Sequence, residues 1–224
     1  MFLKPLLPLL VSLRCVLAAS LGTPEFLQLG PDRGLVPRQG SASHWSFWSE
    51  GGGNFRCNNG AGGQYSCTWS GNGGFVAGKG WRNGGSRTVT YSGTYEAKGP
   101  GYLALYGWTR NPLIEYYIVD SYDILAPGEP WTLKGNFTFE EGTYEIYQST
   151  RVQKPSIEGT RTFQQYWSVR TEKRVGGTIT TKPHYDAWSK LGMRLGGHDY
   201  MILATEGFTN GEKKASGSSS LTVS

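Results

Sequence analysis

Two glutamates stand where a carboxylate is costly to keep. Glu115 lies in Ile114-Glu115-Tyr116-Tyr117-Ile118 and Glu206 in Ala204-Thr205-Glu206-Gly207-Phe208, both short runs of apolar and aromatic residues. A carboxylate among such neighbours is paired, hydrogen-bonded or put to use. Two carboxyls on opposite sides of a bond can divide the work. One, with a raised pKa, donates and retrieves a proton, while the other stays ionised as nucleophile or base. Cleavage of a glycosidic bond uses that division. Strand context alone leaves a structural alternative open: an ion pair to Arg110 or Arg151 for Glu115, and a satisfied edge position for Glu206.

Other chemistries find less support. Gly73 to Lys79 fits the spacing GxxxxGK, but Gly80 follows where a phosphate loop needs Ser or Thr, and no helix signal comes after Trp81. The segment reads as a glycine-rich hairpin. There is no GxSxG, and His44, His184 and His198 are far apart, so neither a serine triad nor a metal site is indicated. No cofactor and no metal are expected. Lys and Arg are scattered singly instead of forming a stripe, so nucleic acid is not an expected partner.

The elements that must hold the glutamates follow from composition and period. A chain of 224 residues with 17% charged residues suits one compact domain. Thirty-three Gly, thirteen Tyr and eight Trp point to short strands and tight turns, hence an all-β class. Met1 to Ser20 has a charged start at Lys4, an apolar run and a small-residue cluster at Val16 to Ser20, the layout of a secretory signal peptide. Pro5, Pro8 and Arg14 break that run, so a membrane span is not expected. Residues 21–38 read as a propeptide ending at Arg38, which leaves 39–224 as a single domain. Removing 1–38 lowers the net charge from +5 to +3. Cys15 leaves with the leader. Cys57 and Cys67 flank the turn Asn58 to Gly63, and a secreted chain would join them across a hairpin centred near Gly62. A zinc site is the weaker alternative.

Period-two alternation recurs along the chain. It appears in Thr88 to Ala97, and in Tyr102 to Trp108 it separates Tyr102, Ala104, Tyr106 and Trp108 from Leu103 and Leu105. The next strand opposes Ile114, Tyr116 and Ile118 to Glu115, Tyr117 and Val119. An aliphatic face belongs against a second sheet, and an aromatic face with polar tips belongs in a partly wet groove. Further strands are expected at 144–152, 163–170, 177–181, 201–208 and 219–223. His184 to Leu191 is the one helical segment, with Tyr185, Trp188 and Leu191 on its buried face and Gly192 to end it. The architecture expected is a two-sheet antiparallel sandwich with a concave cleft. Asn136-Phe137-Thr138 is a glycosylation sequon placed on a surface turn.

Trp108-Thr109-Arg110-Asn111-Pro112-Leu113-Ile114-Glu115-Tyr116-Tyr117-Ile118-Val119-Asp120 and Ala204-Thr205-Glu206-Gly207-Phe208 resemble the two signature segments of the family 11 glycoside hydrolases, the jelly-roll endo-xylanases. Gly78-Lys79-Gly80-Trp81, Gly101 to Trp108, Pro155-Ser156-Ile157 and Gln165-Tyr166-Trp167-Ser168-Val169-Arg170 add to the likeness, in the family's order from about Trp45 to Val223. The resemblance implies a secreted β-jelly roll that hydrolyses internal β-1,4 bonds of xylan by a retaining double displacement. Glu115 would be the nucleophile and Glu206 the acid/base. Tyr106 and Tyr117 would hydrogen-bond the sugar or the nucleophile, and Arg151, Gln165 and Tyr166 would contact substrate. Trp48 would be an aromatic platform, and Pro155 and Ile157 would sit on the tip of a loop closing over the cleft. Xylan is the implied partner, and a monomer is expected. A non-catalytic glycan-binding or plant-response protein on the same sandwich is the alternative, against which the two retained carboxylates argue. Two departures stand out: Gly74 falls where the family usually has Asn or Asp beside the acid/base, and Phe208 replaces a common Tyr. Residues 210–214 look like an insertion.

Overall fold

The computed structural model describes residues 40–125 and 130–224. The expected signal peptide, the expected propeptide and Cys15 lie outside the described residues. Among these are thirteen strands: β1 His44–Ser49, β2 Gly53–Asn59, β3 Gln64–Gly71, β4 Phe75–Trp81, β5 Thr88–Lys98, β6 Gly101–Arg110, β7 Ile114–Tyr122, β8 Thr132–Phe139, β9 Gly142–Ser156, β10 Gly159–Arg170, β11 Gly177–Thr180, β12 Gly197–Gly207 and β13 Ala215–Val223. One helix, α1, spans Thr181–Lys190. The larger sheet runs β1-β4-β12-β6-β7-β10-β9-β8 and the smaller β11-β5-β13-β3-β2. The β7–β10 ladder is parallel, and the others are antiparallel.

Alternation sorts the larger sheet into two different faces. Leu103, Leu105, Ile114, Tyr116 and Ile118 pack with Tyr65, Trp69, Val89 and Tyr91 of the smaller sheet in one core. Tyr102, Ala104, Tyr106, Trp108, Tyr117 and Val119 form a second cluster on the concave side. Five strands cannot cover eight, and α1 fills part of the remainder. Its Trp188 meets Tyr116 on β7 and Tyr166 on β10, and its His184 meets Phe137 on β8 and Tyr144 on β9.

Several elements depart from the sequence reading. The helix starts three residues early, because Pro183 is tolerated in a first turn whose N–H groups have no helical acceptor. The Glu141 carboxylate accepts the Thr180 N–H at that end, at 3.0 and 3.1 Å. Its buried stripe is Thr181, His184 and Trp188, with Leu191 exposed beyond the last turn. The Gly73–Lys79 segment is not a hairpin: it crosses from the smaller sheet into β4, a strand buried along its whole length. A Cβ at Gly78 would lie 1.9 Å from the Leu203 carbonyl oxygen, so glycine there admits the neighbouring backbone. Lys79 donates to the carbonyls of Gly60 and Gly62 and so ties down the β2–β3 turn. That hairpin pairs Cys57 with Cys67, and the two are joined as a disulfide. Asn136 lies on the outermost strand β8, not in a turn, and is exposed.

Candidate active site

Strands β4, β12, β6, β7 and β10, adjacent in the larger sheet, form the floor of a concave cleft of about 600 Å³. Glu206 reaches it from β12, opposite Val76 on one side and Tyr102 on the other. Glu115 reaches it from β7, opposite Trp108 on β6 and Gln165 on β10. Both glutamates share the face that alternation gives to the aromatics, so the local sequence period alone aims them into the cleft.

Glu115 is 8% exposed. Its Oε1 accepts the hydroxyls of Tyr106 at 2.8 Å and Tyr117 at 3.2 Å, and its Oε2 accepts the Gln165 side-chain amide at 2.6 Å. Those donors are themselves oriented. The Trp108 indole donates to the Tyr106 hydroxyl at 2.6 Å, and Ser149 donates to Gln165 Oε1 at 2.9 Å, which turns the amide N–H₂ toward Glu115. Burial raises the Glu115 pKa, opposed by the hydrogen bonds from Gln165 and Tyr106, the charge of Arg151 and the Tyr117 hydroxyl. Three donors converge on this carboxyl, an arrangement that suits the anion.

Glu206 is held differently. Burial, and then the negative charge of Glu115, push its pKa up to about 8, against the pull of the Tyr117 hydroxyl and of Arg151. Its Oε2 is buried and has no hydrogen-bond partner among the described residues. The two carboxyls thus differ in their surroundings: three donors meet Glu115, whereas Glu206 keeps one oxygen without a partner among the described residues.

Trp48, Tyr106, Tyr117, Arg151, Pro155, Ile157 and Gln165 line the cleft with the two glutamates. Tyr166 does not. It neighbours Gln165 on β10, so alternation turns it to the opposite face, where it packs on Trp188 and its hydroxyl donates to the Arg194 carbonyl at 3.3 Å. Arg110 is not the partner of Glu115: its Nε bonds Asp199 at 2.7 Å and its Nη1 bonds Glu158 at 2.8 Å. The cleft also contains Ser46, Glu50, Tyr102, Trp108, Lys154, Phe163, Trp167 and Tyr200, which the sequence reading did not name as contacts. The parity of β6 and β10 already carried Tyr102, Trp108 and Trp167. Ser149 had no comparable signal, because its role depends on lying opposite Gln165 across β9 and β10.

The model of the Glycosyl hydrolases family 11 matches residues 41–222, nearly the whole described chain. The chain belongs to glycosyl hydrolase family 11. It is 52% identical over 197 residues to Ethylene-inducing xylanase 1 of Botryotinia fuckeliana, spanning 84% of this chain and 68% of that protein. It is 49% identical over 201 residues to Endo-1,4-beta-xylanase I of Cochliobolus carbonum, spanning 86% and 91%. A solved structure of one of the two major endo-1,4-beta-xylanases of Trichoderma reesei superposes with a TM-score of 0.72 at 38% identity, covering 82% of this chain and 99% of the other. This family 11 member therefore shares its jelly roll with known xylanases, and it is a glycoside hydrolase. No helix among its described residues is long and apolar enough to cross a membrane.

Proposed function

We propose that this family 11 chain is a secreted, retaining endo-1,4-β-xylanase, with Glu115 as nucleophile and Glu206 as acid/base. The observation that carries the assignment is the unequal pair itself. Glu115 faces three donors, whereas Glu206, its pKa pushed up to about 8, presents an unpartnered buried oxygen. In the first step an oxygen of Glu115 attacks the anomeric carbon of the xylose lying over it. The bond from that carbon to the leaving oxygen breaks, and Glu206 gives its proton to that oxygen. The product is a xylosyl ester on Glu115.

Ester formation removes the Glu115 charge, the second-largest contribution to the raised pKa of Glu206. The Glu206 pKa then falls, and its carboxylate becomes the base for the second step. Water loses a proton to Glu206 and its oxygen attacks the anomeric carbon, which releases Glu115. Two inversions retain the configuration. A carboxyl separation of about 5 to 5.5 Å suits this mechanism. The reading also assigns residues 1–20 as an export signal and 21–38 as a removed propeptide, with a monomer acting on xylan outside the cell.

Glu115→Gln should lower xylan hydrolysis by about 10⁴-fold or more while leaving the circular dichroism spectrum unchanged. Reducing-sugar release from xylan measures it, and wild-type activity in a folded Glu115→Gln protein would end the assignment.

A further inference from the structure

One rim of the cleft is built where the end of β1 meets the start of β4. Trp48 and Glu50 are two residues apart along the edge of the sheet, so both can face the cleft, and both line it. Trp48 is 45% exposed. The backbone lacing is specific: the Glu50 N–H donates to the Gly74 carbonyl at 3.0 Å, and the Thr209 N–H donates to the Gly73 carbonyl at 3.0 Å. A Cβ added at Gly74 would lie 3.1 Å from Oε1 of Glu50 and 3.3 Å from the Cβ of Phe208. The Glu50 carboxylate therefore borders the space that a side chain at position 74 would enter.

A carboxylate beside an exposed indole makes a recognisable sugar contact. The ring covers the apolar face of a pyranose, and the oxygens accept its hydroxyls. An anion at this rim also discriminates. Apart from the two glutamates on its floor, the cleft carries its other charges on the β9–β10 hairpin, at Arg151 and Lys154, so the rim at Trp48 is opposite in sign to that hairpin. A neutral xylose meets an acceptor there, whereas a xylose bearing a uronic acid meets a like charge in a partly desolvated groove. We propose that Glu50, in the space left by Gly74, is a specificity-determining residue that binds unbranched xylose at the Trp48 rim and rejects acid-branched chains there. This rests on the xylanase reading of the cleft.

The test compares kcat/KM of the wild type and Glu50→Gln on linear xylohexaose and on a xylooligosaccharide carrying one glucuronic acid branch, at low and at 0.5 M salt. Wild type should prefer the linear substrate, and salt should shrink that preference. Glu50→Gln should narrow the ratio by about 10-fold, the equivalent of about 1.4 kcal/mol of like-charge repulsion, and raise KM for the linear substrate by several-fold. Gly74→Asn, whose added atoms press on the Glu50 carboxylate, should shift the ratio in the same direction. The double variant should add little, because both changes act on one group. A ratio that neither substitution moves would overturn the inference while leaving the xylanase reading intact. A wild type inert on both substrates would overturn that reading and this inference with it.

Discussion

Glu115 and Asp120 lie on the same strand, β7, one facing the cleft and the other facing the smaller sheet. Both are buried, yet they are held in different ways. Oδ2 of Asp120 accepts the Tyr91 hydroxyl at 2.7 Å and Arg174 Nε at 2.8 Å, and Arg174 also reaches the Thr178 carbonyl and approaches Glu141 at 3.9 Å. Burial raises the Asp120 pKa, and the Arg174 charge is the largest opposing influence. Glu115 takes its hydrogen bonds from two tyrosines and a glutamine. A bonded counter-ion fixes a carboxylate as structure. Uncharged donors stabilise the anion without neutralising it, and the remaining charge adds to burial in raising the Glu206 pKa.

The comparison breaks most visibly on the cleft side. Glu206→Gln should cost about 10² to 10⁴-fold in kcat on xylan. Wild-type activity should fall as pH rises through about 8, because Glu206 must be protonated for the first step and loses its proton there. That alkaline limb should vanish in Glu206→Gln, and a pH–rate profile measures both effects. On the other face, Arg174→Met leaves Asp120 buried without its cation and should lower stability by about 3 to 5 kcal/mol in denaturant unfolding. kcat/KM per folded molecule should stay at the wild-type level.

The smallest effects compare two tyrosine hydroxyls. Tyr117→Phe removes a hydrogen bond that lowers the Glu206 pKa, so the alkaline limb should move to higher pH, read from the same profile. Tyr91→Phe removes one donor from Asp120 and should cost about 1 kcal/mol of stability without moving the limb. If Tyr91→Phe moved the limb, the two faces would not be electrically separate.

Much of this could be read from the residues, wherever the signal was local. The alternation of β6 and β7 placed Tyr106, Glu115 and Tyr117 on one face and Leu105 and Tyr116 on the other, as found. It failed where both faces are buried. β4 shows no alternation because neighbours on both sides hide it, and its glycines suggested a turn when they serve close backbone approach. The family resemblance places Tyr166 in the site together with Gln165, although one residue along a strand means the other face. The buried stripe of the helix passes through His184 and not Tyr185, because His184 meets the aromatic ring of Tyr144 at 4.6 Å. Contacts such as Ser149 with Gln165, or Glu50 beside Gly74, depend on pairings between distant segments that no single stretch of sequence contains.

The turn from β6 to β7, residues 111–113, sets more than a change of direction. It fixes the length of chain between Trp108 and Glu115, and with it the parity of every residue that follows on β7. One residue added there would slip the strand by a position, sending Tyr116 into the cleft and Glu115 against Trp188. Such a slip would thus take the Glu115 carboxylate out of the cleft and bury a charge in the core.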